Sequence, residues 1–202
     1  MRTASTAVLL MGFQNDFCSE EEALHGTVKG EIERLGTLKN AADLVSRARE
    51  KGVKILHVPM QFSEAYREIP ENQVGVLEEI RGSDAFITGT EGADFVGELG
   101  PEPDDVVISG RSTISAFKST NLDHVLRNFG ITDLGLAGLL ADVSVESTAR
   151  AAYDLGYRIV LLSDCVAARS EDAKRSAENA IGSAFGEVMT YEEFLEELEK
   201  RH

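Results

Sequence analysis

The sequence has few cysteines, few positive charges and no long apolar segment, and each shortage excludes a class of protein. Its two cysteines, Cys18 and Cys165, are too few and too far apart for a disulfide framework or a metal cluster. The 35 acidic residues outnumber the 20 lysines and arginines, so the formal net charge is −15. A nucleic-acid partner is therefore not expected, because phosphate binding requires a clustered basic surface. No apolar segment approaches the roughly 20 residues of a membrane span.

The N-terminal segment also lacks the marks of an exported protein. The apolar stretch that ends at Met11 is too short for a secretory signal, and no small-residue cleavage site follows it. We therefore expect a cytoplasmic protein with no membrane partner. The composition, 43% hydrophobic and 27% charged, predicts one globular domain over residues 1–202. No glycine-rich phosphate loop follows a predicted strand, and we expect no cofactor.

Short apolar segments alternate along the chain with longer segments whose apolar residues recur at helical spacing. The predicted strands are residues 6–11, 53–58, 105–109, 133–137, 158–162 and 187–189. The predicted helices are residues 38–51, 94–99, 121–129, 142–155, 171–185 and 191–200, with Thr120 and Asp142 as caps of the third and fourth. Residues 59–93 are predicted to be irregular, and such a length is typical of a lid or pocket wall.

This alternation predicts a doubly wound α/β fold, in which a mostly parallel sheet lies between two layers of helices. In such sheets, ligands bind outside the carboxyl ends of the strands. Three predicted loops meet there, formed by residues 12–18, 110–118 and 138–144. The fold alone names no chemistry for them.

Each of these loops carries a motif. Residues 8–17 read VLLMGFQNDF, residues 115–117 and 119–123 read SAF and STNLD, and residues 137–150 read AGLLADVSVESTAR. In this order and spacing, the motifs resemble those of the isochorismatase-like cysteine hydrolases, and the resemblance covers nearly the whole chain. It implies the three-layer α/β fold of that family and, since its members commonly associate, a homo-oligomer.

The resemblance also implies three catalytic positions, and all three are substituted in this chain. The family has an Asp at the position of Gly12, a Lys at that of Arg111 and a nucleophilic Cys at that of Ser144. In the family the Cys attacks a carbonyl or imine carbon, the Asp accepts the thiol proton, and the Lys holds charge between them. Backbone groups near Leu139, Leu140 and Ser144 would form the oxyanion hole, beside a cis peptide bond that does not involve proline.

The substitutions remove the groups on which this chemistry depends. Ser144 would need a base within hydrogen-bonding reach, because a helix N-terminus alone does not ionise an alkanol. Gly12 cannot accept a proton, and the guanidinium of Arg111 does not exchange protons near neutral pH. Loss of a general base commonly costs about 10²–10⁴-fold in rate. We therefore expect negligible cysteine-hydrolase turnover, and a catalytically inactive protein that binds a small molecule or a protein partner.

Several alternatives remain open at this stage. The chain could be an altered hydrolase acting on an amide or ester, with Ser144 as nucleophile and Asp16, His57 or Glu146 as its base. It could also be a purely structural subunit. Arg111 could hold an anion, such as a carboxylate or phosphate-like group, together with backbone N–H groups. Alternatively, Arg111 pairs with Asp16 or another acid and fills the space, since an unpaired cation in a cleft is costly.

Four aromatic residues are candidates for the pocket wall, with ordinary core packing as the alternative; they are Phe17, Phe62, Tyr66 and Phe117. No metal site is expected. His25 and His124 lack partners at metal-ligand spacing, and the metal-binding members of the family carry an Asp and two His near the second strand, a set that this sequence lacks.

Overall fold

A computed structural model describes residues 1–199, and six of its strands form one parallel sheet in the order β3-β2-β1-β4-β5-β6. The strands are β1 (Thr6–Met11), β2 (Lys54–Val58), β3 (Val106–Val107), β4 (Asp133–Leu139), β5 (Arg158–Ala167) and β6 (Glu187–Met189). The order places β1 beside β4 at the centre of the sheet, so the loops after these two strands are neighbours.

Eight α-helices accompany the sheet within the described residues. They are α1 (Asn15–Cys18), α2 (His25–Leu35), α3 (Thr37–Glu50), α4 (Val76–Gly82), α5 (Leu122–Asn128), α6 (Glu146–Asp154), α7 (Glu171–Ala184) and α8 (Tyr191–Glu199). None of the helices within residues 1–199 combines the length and apolarity needed to cross a membrane.

Two apolar cores lie on opposite faces of the sheet, because successive side chains of a strand point to opposite sides. On β1, Val8 and Leu10 join the core that includes α2, α3 and α8. Ala7, Leu9 and Met11 join the core that includes α5, α6 and α7. All six residues of β1 are buried, as expected of a parallel strand covered on both faces. The predicted three-layer α/β fold is confirmed.

Some strand bounds differ from their predicted ranges. The predictions for β1 and β6 match, whereas β3 is only two residues long. It lies at the edge of the sheet and pairs with β2 alone. β5 runs five residues further than predicted, because residues 166 and 167 pair with β4 beyond an irregularity in the register.

The helix predictions differ from the structure in several places. Residues 25–35 were assigned no element, yet they form α2; its buried apolar residues are Val28 and Ile32, a short stripe that is easily missed. The segment 59–93 contains α4 and is therefore not wholly irregular. The predicted helix over residues 94–99 is reduced to a 3₁₀ turn at Gly97–Leu99. Asn121, not Thr120, is the N-cap of α5, although the Thr120 hydroxyl accepts a 3.2 Å hydrogen bond from Leu122 N.

A further difference concerns Asp142, which the sequence predicts as the cap of the helix after β4. A π-helical turn over Ala141–Val145 precedes α6, and Asp142 makes no capping hydrogen bond. The backbone N–H groups of Val143 and Val145 instead donate to the carbonyl of Leu140, at 3.2 and 3.1 Å. The last residue of the predicted terminal helix, Lys200, lies outside the described residues.

Candidate functional site

Gly12 directly follows β1 and lies against the backbone after β4. Its φ of 75° is in the left-handed region, where glycine avoids the steric penalty of a Cβ atom. A Cβ atom at this position would approach the Leu139 carbonyl oxygen to 2.7 Å. The backbone therefore excludes a side chain here unless Leu139 moves, so the position predicted for the family's Asp has no room for one.

The chain turns sharply between β4 and Ser144. The Leu139–Leu140 peptide bond is cis, as the family resemblance implied. Leu139 and Leu140 are buried, and Ser144 is 5% exposed in the π-helical turn that follows them. The predicted oxyanion-hole residues therefore lie together, but beneath the protein surface.

Arg111 reaches this region from the loop after β3. Its backbone continues alongside the chain that follows β2, where its carbonyl accepts a 2.9 Å hydrogen bond from Gln61 N. The side chain is fully buried. The guanidinium donates four hydrogen bonds, to Thr113 O (3.3 Å), Val58 O (3.2 Å), Ile114 O (2.7 Å) and Ser144 Oγ (2.7 Å).

These partners decide between two expectations for Arg111. The prediction that it pairs with Asp16 or another acid is wrong, because within residues 1–199 it forms no ion pair and donates to carbonyl oxygens and a hydroxyl. The carbonyl dipoles replace water around the charge. Burial lowers the pKa of Arg111 to about 10, so the guanidinium remains cationic at neutral pH. The expectation that Arg111 fills the space agrees with its complete burial.

The Gln-Asn-Asp motif after β1 anchors the segment 59–93. Gln14 Nε2 donates to the carbonyls of Met60 and Ala93, and its Oε1 accepts from Met60 N. Asn15 Nδ2 donates to the carbonyl of Glu91 at 2.9 Å. This anchoring was not predicted, although three adjacent side chains that readily bond backbone groups are a signal for it.

Asp16 completes the anchor and is not available as a base for Ser144. Its Oδ2 accepts a 2.6 Å hydrogen bond from Phe86 N, and its carboxylate packs so closely on Gly92 that a Cβ atom would not fit there. Burial raises the pKa of Asp16, more than its backbone hydrogen bonds lower it. The carboxylate therefore binds the segment 59–93 and not the Ser144 hydroxyl.

The other two proposed bases are also engaged elsewhere. His57 Nε2 lies 3.0 Å from Asp105 Oδ2, and Asp105 also pairs with Arg49. Glu146 forms a 2.6 Å ion pair with Arg150 along α6. Within the part of the chain that the structure describes, no carboxylate or imidazole is hydrogen-bonded to Ser144.

Three of the four predicted pocket aromatics are buried, Phe17 in α1 and Phe62 and Tyr66 in the segment 59–93. Phe17 packs on Phe86 with ring centroids 5.0 Å apart, and Phe62 packs on Tyr66 at 5.4 Å. Tyr66 also donates a 2.7 Å hydrogen bond to Ala85 O. The fourth, Phe117, is half-buried in the other core and stacks on Tyr157. The structure thus does not bring all four together.

The two cysteines and the possible metal ligands of residues 1–199 are the other candidate sources of a nucleophile or a metal site. Burial raises the pKa of Cys18 to about 12, and burial and nearby Asp164 raise that of Cys165 further. Both thiols are therefore protonated at neutral pH. Residues 1–199 contain no group of His, Cys, Asp and Glu side chains arranged to hold a metal ion.

Comparison with known proteins places this arrangement in a family. Residues 6–193 match the model of the isochorismatase domain. An uncharacterized isochorismatase family protein, YwoC of Bacillus subtilis, is 36% identical over 106 residues, a match that spans 52% of this chain and 56% of the relative. The ureidoacrylate amidohydrolase RutB of Rhizobium rhizogenes is 27% identical over 96% of this chain and 83% of its own length.

Solved structures agree on the fold. A cysteine hydrolase from Pseudomonas syringae pv. phaseolicola superposes with a TM-score of 0.84 at 23% identity, over 100% of this chain and 96% of that one. The nicotinamidase PncA of Bacillus subtilis gives a TM-score of 0.74 at 24% identity, over 94% and 100% of the two chains. Because the family model matches nearly the whole sequence and the fold agrees, this chain belongs to the isochorismatase family.

Proposed function

We propose that this protein is a catalytically inactive member of the isochorismatase family that acts by binding. The observation that carries the proposal is the position of Arg111, whose buried guanidinium donates to Ser144 Oγ at 2.7 Å and to three backbone carbonyls. The Arg111 side chain therefore contacts the position predicted for the nucleophile, and Gly12, at the position predicted for the base, has no side chain that could accept a proton.

Catalysis would need a proton acceptor that the site does not provide. A serine nucleophile must lose its proton to a base within about 3 Å, directly or through one water. Within residues 1–199, the hydrogen-bond partner of Ser144 Oγ is a donor, Arg111. A cation beside the oxygen would stabilise an alkoxide once formed, but it does not remove the proton.

An altered hydrolase that uses Ser144 remains the competing proposal, and the short Arg111–Ser144 contact is the observation in its favour. Against it, Asp16, His57 and Glu146 are each bonded to other groups. Ser144 is also only 5% exposed, so a substrate could reach its hydroxyl only if neighbouring residues moved.

The same burial limits which ligand the protein could bind. Three carbonyls and the Ser144 hydroxyl already accept hydrogen bonds from Arg111, so an anion held by this guanidinium would compete with them. Because Arg111 is fully buried, such an anion could reach the guanidinium only if the surrounding chain moved. We therefore favour a binding function at the surface, with a protein partner, over a preformed pocket for a small anion.

A hydrolysis assay tests the proposal. The names of the relatives supply the substrates: a ureidoacrylate, N-carbamoylsarcosine and nicotinamide, with isochorismate added for the family. Purified protein is expected to give no release of ammonia or product above that of Ser144→Ala. The matched control is Ser147→Ala, three residues further along the chain, in α6. Turnover that Ser144→Ala abolishes and Ser147→Ala retains would establish the competing proposal.

A further inference from the structure

Residues 63–85 form a loop whose two ends are hydrogen-bonded to each other. Phe62 N donates to Phe86 O at 2.9 Å, and Thr88 N donates to Phe62 O at the same distance. Asp16 in α1 holds this neck in place, because its Oδ2 accepts a 2.6 Å hydrogen bond from Phe86 N. A surface loop with ends this close resembles an Ω-loop, a type that is often functional. We refer to these residues as the 63–85 loop, with its neck at Phe62 and Phe86.

Most polar contacts of the 63–85 loop are internal. Tyr66 Oη donates to Ala85 O at 2.7 Å, and Arg81 Nη1 donates to Pro70 O at 3.2 Å. The helix α4 lies within the loop and contributes its own backbone hydrogen bonds. These bonds therefore remain intact when the loop moves as a unit relative to the rest of the protein.

A single ion pair, which we call the latch, links the 63–85 loop to the chain after β5. It joins Glu79 of α4 to Arg169. Within residues 1–199, no other ion pair or hydrogen bond joins the loop to another part of the chain. The two side chains are 51% and 39% exposed, and an exposed ion pair contributes little stability. The loop is therefore held to the protein mainly by its apolar side chains.

Backbone strain is concentrated near the neck of the 63–85 loop. Four non-glycine residues of the described chain have a positive φ, and three of them are Tyr66 (47°), Asp84 (54°) and Phe86 (59°). The left-handed region is unfavourable for bulky residues such as tyrosine and phenylalanine. Strain of this kind persists only where surrounding contacts impose it, and it clusters at ligand clamps and switch regions. The strained residues are thus candidates for a hinge.

The sheet order indicates which strand ends the 63–85 loop crosses. Its neck follows β2, whereas Arg169 follows β5, where Ala167 is paired with Leu139 of β4. Strands β1 and β4 lie between β2 and β5, and all four run parallel. A loop joined to the protein after β2 and latched after β5 therefore spans the carboxyl ends of β1 and β4. Gly12 follows the first of these ends, and Ser144 lies in the turn after the second.

The buried side chains of the loop agree with this position. Tyr66 and Ile80 belong to the same apolar core as Leu140. Val143, which directly precedes Ser144, packs against that core. Movement of the loop would therefore remove apolar packing next to Ser144.

We infer that the 63–85 loop is a lid, closed by the latch, and that its opening admits small molecules to Ser144. The closed lid accounts for the 5% exposure of Ser144. Opening breaks the latch and some apolar contacts but leaves the internal hydrogen bonds of the loop intact. The inference goes beyond the proposed function, because it concerns access to Ser144 and holds whether or not Ser144 is catalytic.

Thiol labelling tests the inference. In Ser144→Cys, the rate of alkylation by iodoacetamide measures how often position 144 is open to solvent. Adding Glu79→Ala removes the latch and should raise this rate about two- to fivefold, the effect expected of one exposed ion pair. Adding Glu78→Ala instead is the matched control, because Glu78 is an exposed acid of the same helix and forms no ion pair within residues 1–199.

Two further measurements separate lid opening from other causes. Cys165 is fully buried, so its alkylation in the same sample reports unfolding of the whole protein and should not rise with Glu79→Ala. Arg169→Ala should accelerate labelling at position 144 as much as Glu79→Ala does. The two changes together should add nothing, because each removes the same ion pair.

Three results would overturn the inference: labelling at position 144 that neither latch variant changes, an equal rise with Glu78→Ala, or a rise that Cys165 shares. If Ser144→Cys does not fold, Ile80→Cys replaces it, since Ile80 is 1% exposed on the buried side of the loop. Labelling at position 80 should depend on the latch in the same way, and labelling that ignores the latch would contradict the proposed lid.

Discussion

The guanidinium of Arg111 donates a 2.7 Å hydrogen bond from Nη2 to the hydroxyl oxygen of Ser144. The two residues that the sequence predicts at the positions of the family's ammonium and thiol thus bind each other directly. The same nitrogen donates to Ile114 O, and Nη1 donates to Val58 O. One buried side chain therefore connects the end of β2, the loop after β3 and the turn before α6.

Arg111→Met is expected to destabilise the fold by about 3 kcal/mol or more. The carbonyls that Arg111 satisfies would remain buried without a donor, at about 1–3 kcal/mol for each that stays unpaired. Loss of the desolvated charge offsets part of this cost. Urea unfolding measures the change, with Arg47→Met on the exposed side of α3 as the control. A variant as stable as the Arg47→Met control would show that the carbonyls do not depend on Arg111.

Ser144→Cys is expected to create an acidic thiol without creating an enzyme. The Arg111 cation beside the sulfur should lower the thiol pKa below its usual value of about 8.5. Titration of thiolate absorbance measures the pKa of the new thiol. Cys18 and Cys165 do not contribute near neutral pH, because their raised pKa values keep both thiols protonated. Ser147→Cys, without the Arg111 contact, is the control.

The same variant also separates two causes of inactivity. With a reactive thiol in place, the absence of a base at Gly12 should still prevent hydrolysis of the amide substrates. Restored turnover in Ser144→Cys alone would show that serine, and not the closed Asp position, limits the reaction.

Gly12→Ala is expected to cost more stability than Gly36→Ala. Both glycines have positive φ, 75° and 65°, so both substitutions carry the strain of a left-handed alanine, about 1–2 kcal/mol. A Cβ atom at Gly36 meets nothing within 4 Å, whereas one at Gly12 comes within 2.7 Å of Leu139 O. The difference between the two losses of unfolding free energy measures the effect of this close approach. Equal losses would mean that the Leu139 carbonyl can shift away at little energetic cost.

The sequence predicted the strands and loops around the site better than the hydrogen bonds within it. The five apolar residues of β1 placed the end of that strand correctly, and the motifs around Gly12 and Ser144 placed the loops that follow β1 and β4. The partners of Arg111 were not predictable in the same way. They are mostly backbone carbonyls, which every residue carries and no motif marks, so reasoning from charge alone favoured a carboxylate partner. The helix α2 was missed because its apolar stripe is only two buried residues wide.

Asp16→Ala is expected to loosen the segment 59–93 and to cost about 1–3 kcal/mol, because Phe86 N would lose its buried acceptor. Hydrogen exchange should show faster exchange of the Phe86 amide and its neighbours. Asp104→Ala, at an exposed position outside that segment, is the control. Unchanged exchange at Phe86 would mean that the Gln14 and Asn15 contacts hold the segment without Asp16.

Acidification is expected to destabilise the protein through His57. Burial lowers the pKa of His57, more than its hydrogen bond to Asp105 raises it. Between about pH 6.5, the ordinary value for histidine, and the lower folded value, the unfolded chain binds a proton that the folded protein excludes. The free energy of unfolding must therefore fall as the pH is lowered through this window.

Urea unfolding between about pH 5 and pH 8 measures this dependence, above the range in which most carboxylates titrate. His57→Gln removes the titrating group and keeps a side chain that can bond Asp105, so the stability of the variant should depend less steeply on pH. His124→Gln, at an exposed histidine of α5, is the control for removing one imidazole. If His57→Gln and the unaltered chain lose stability in parallel, another group carries the pH dependence, and the buried His57–Asp105 contact tolerates protonation.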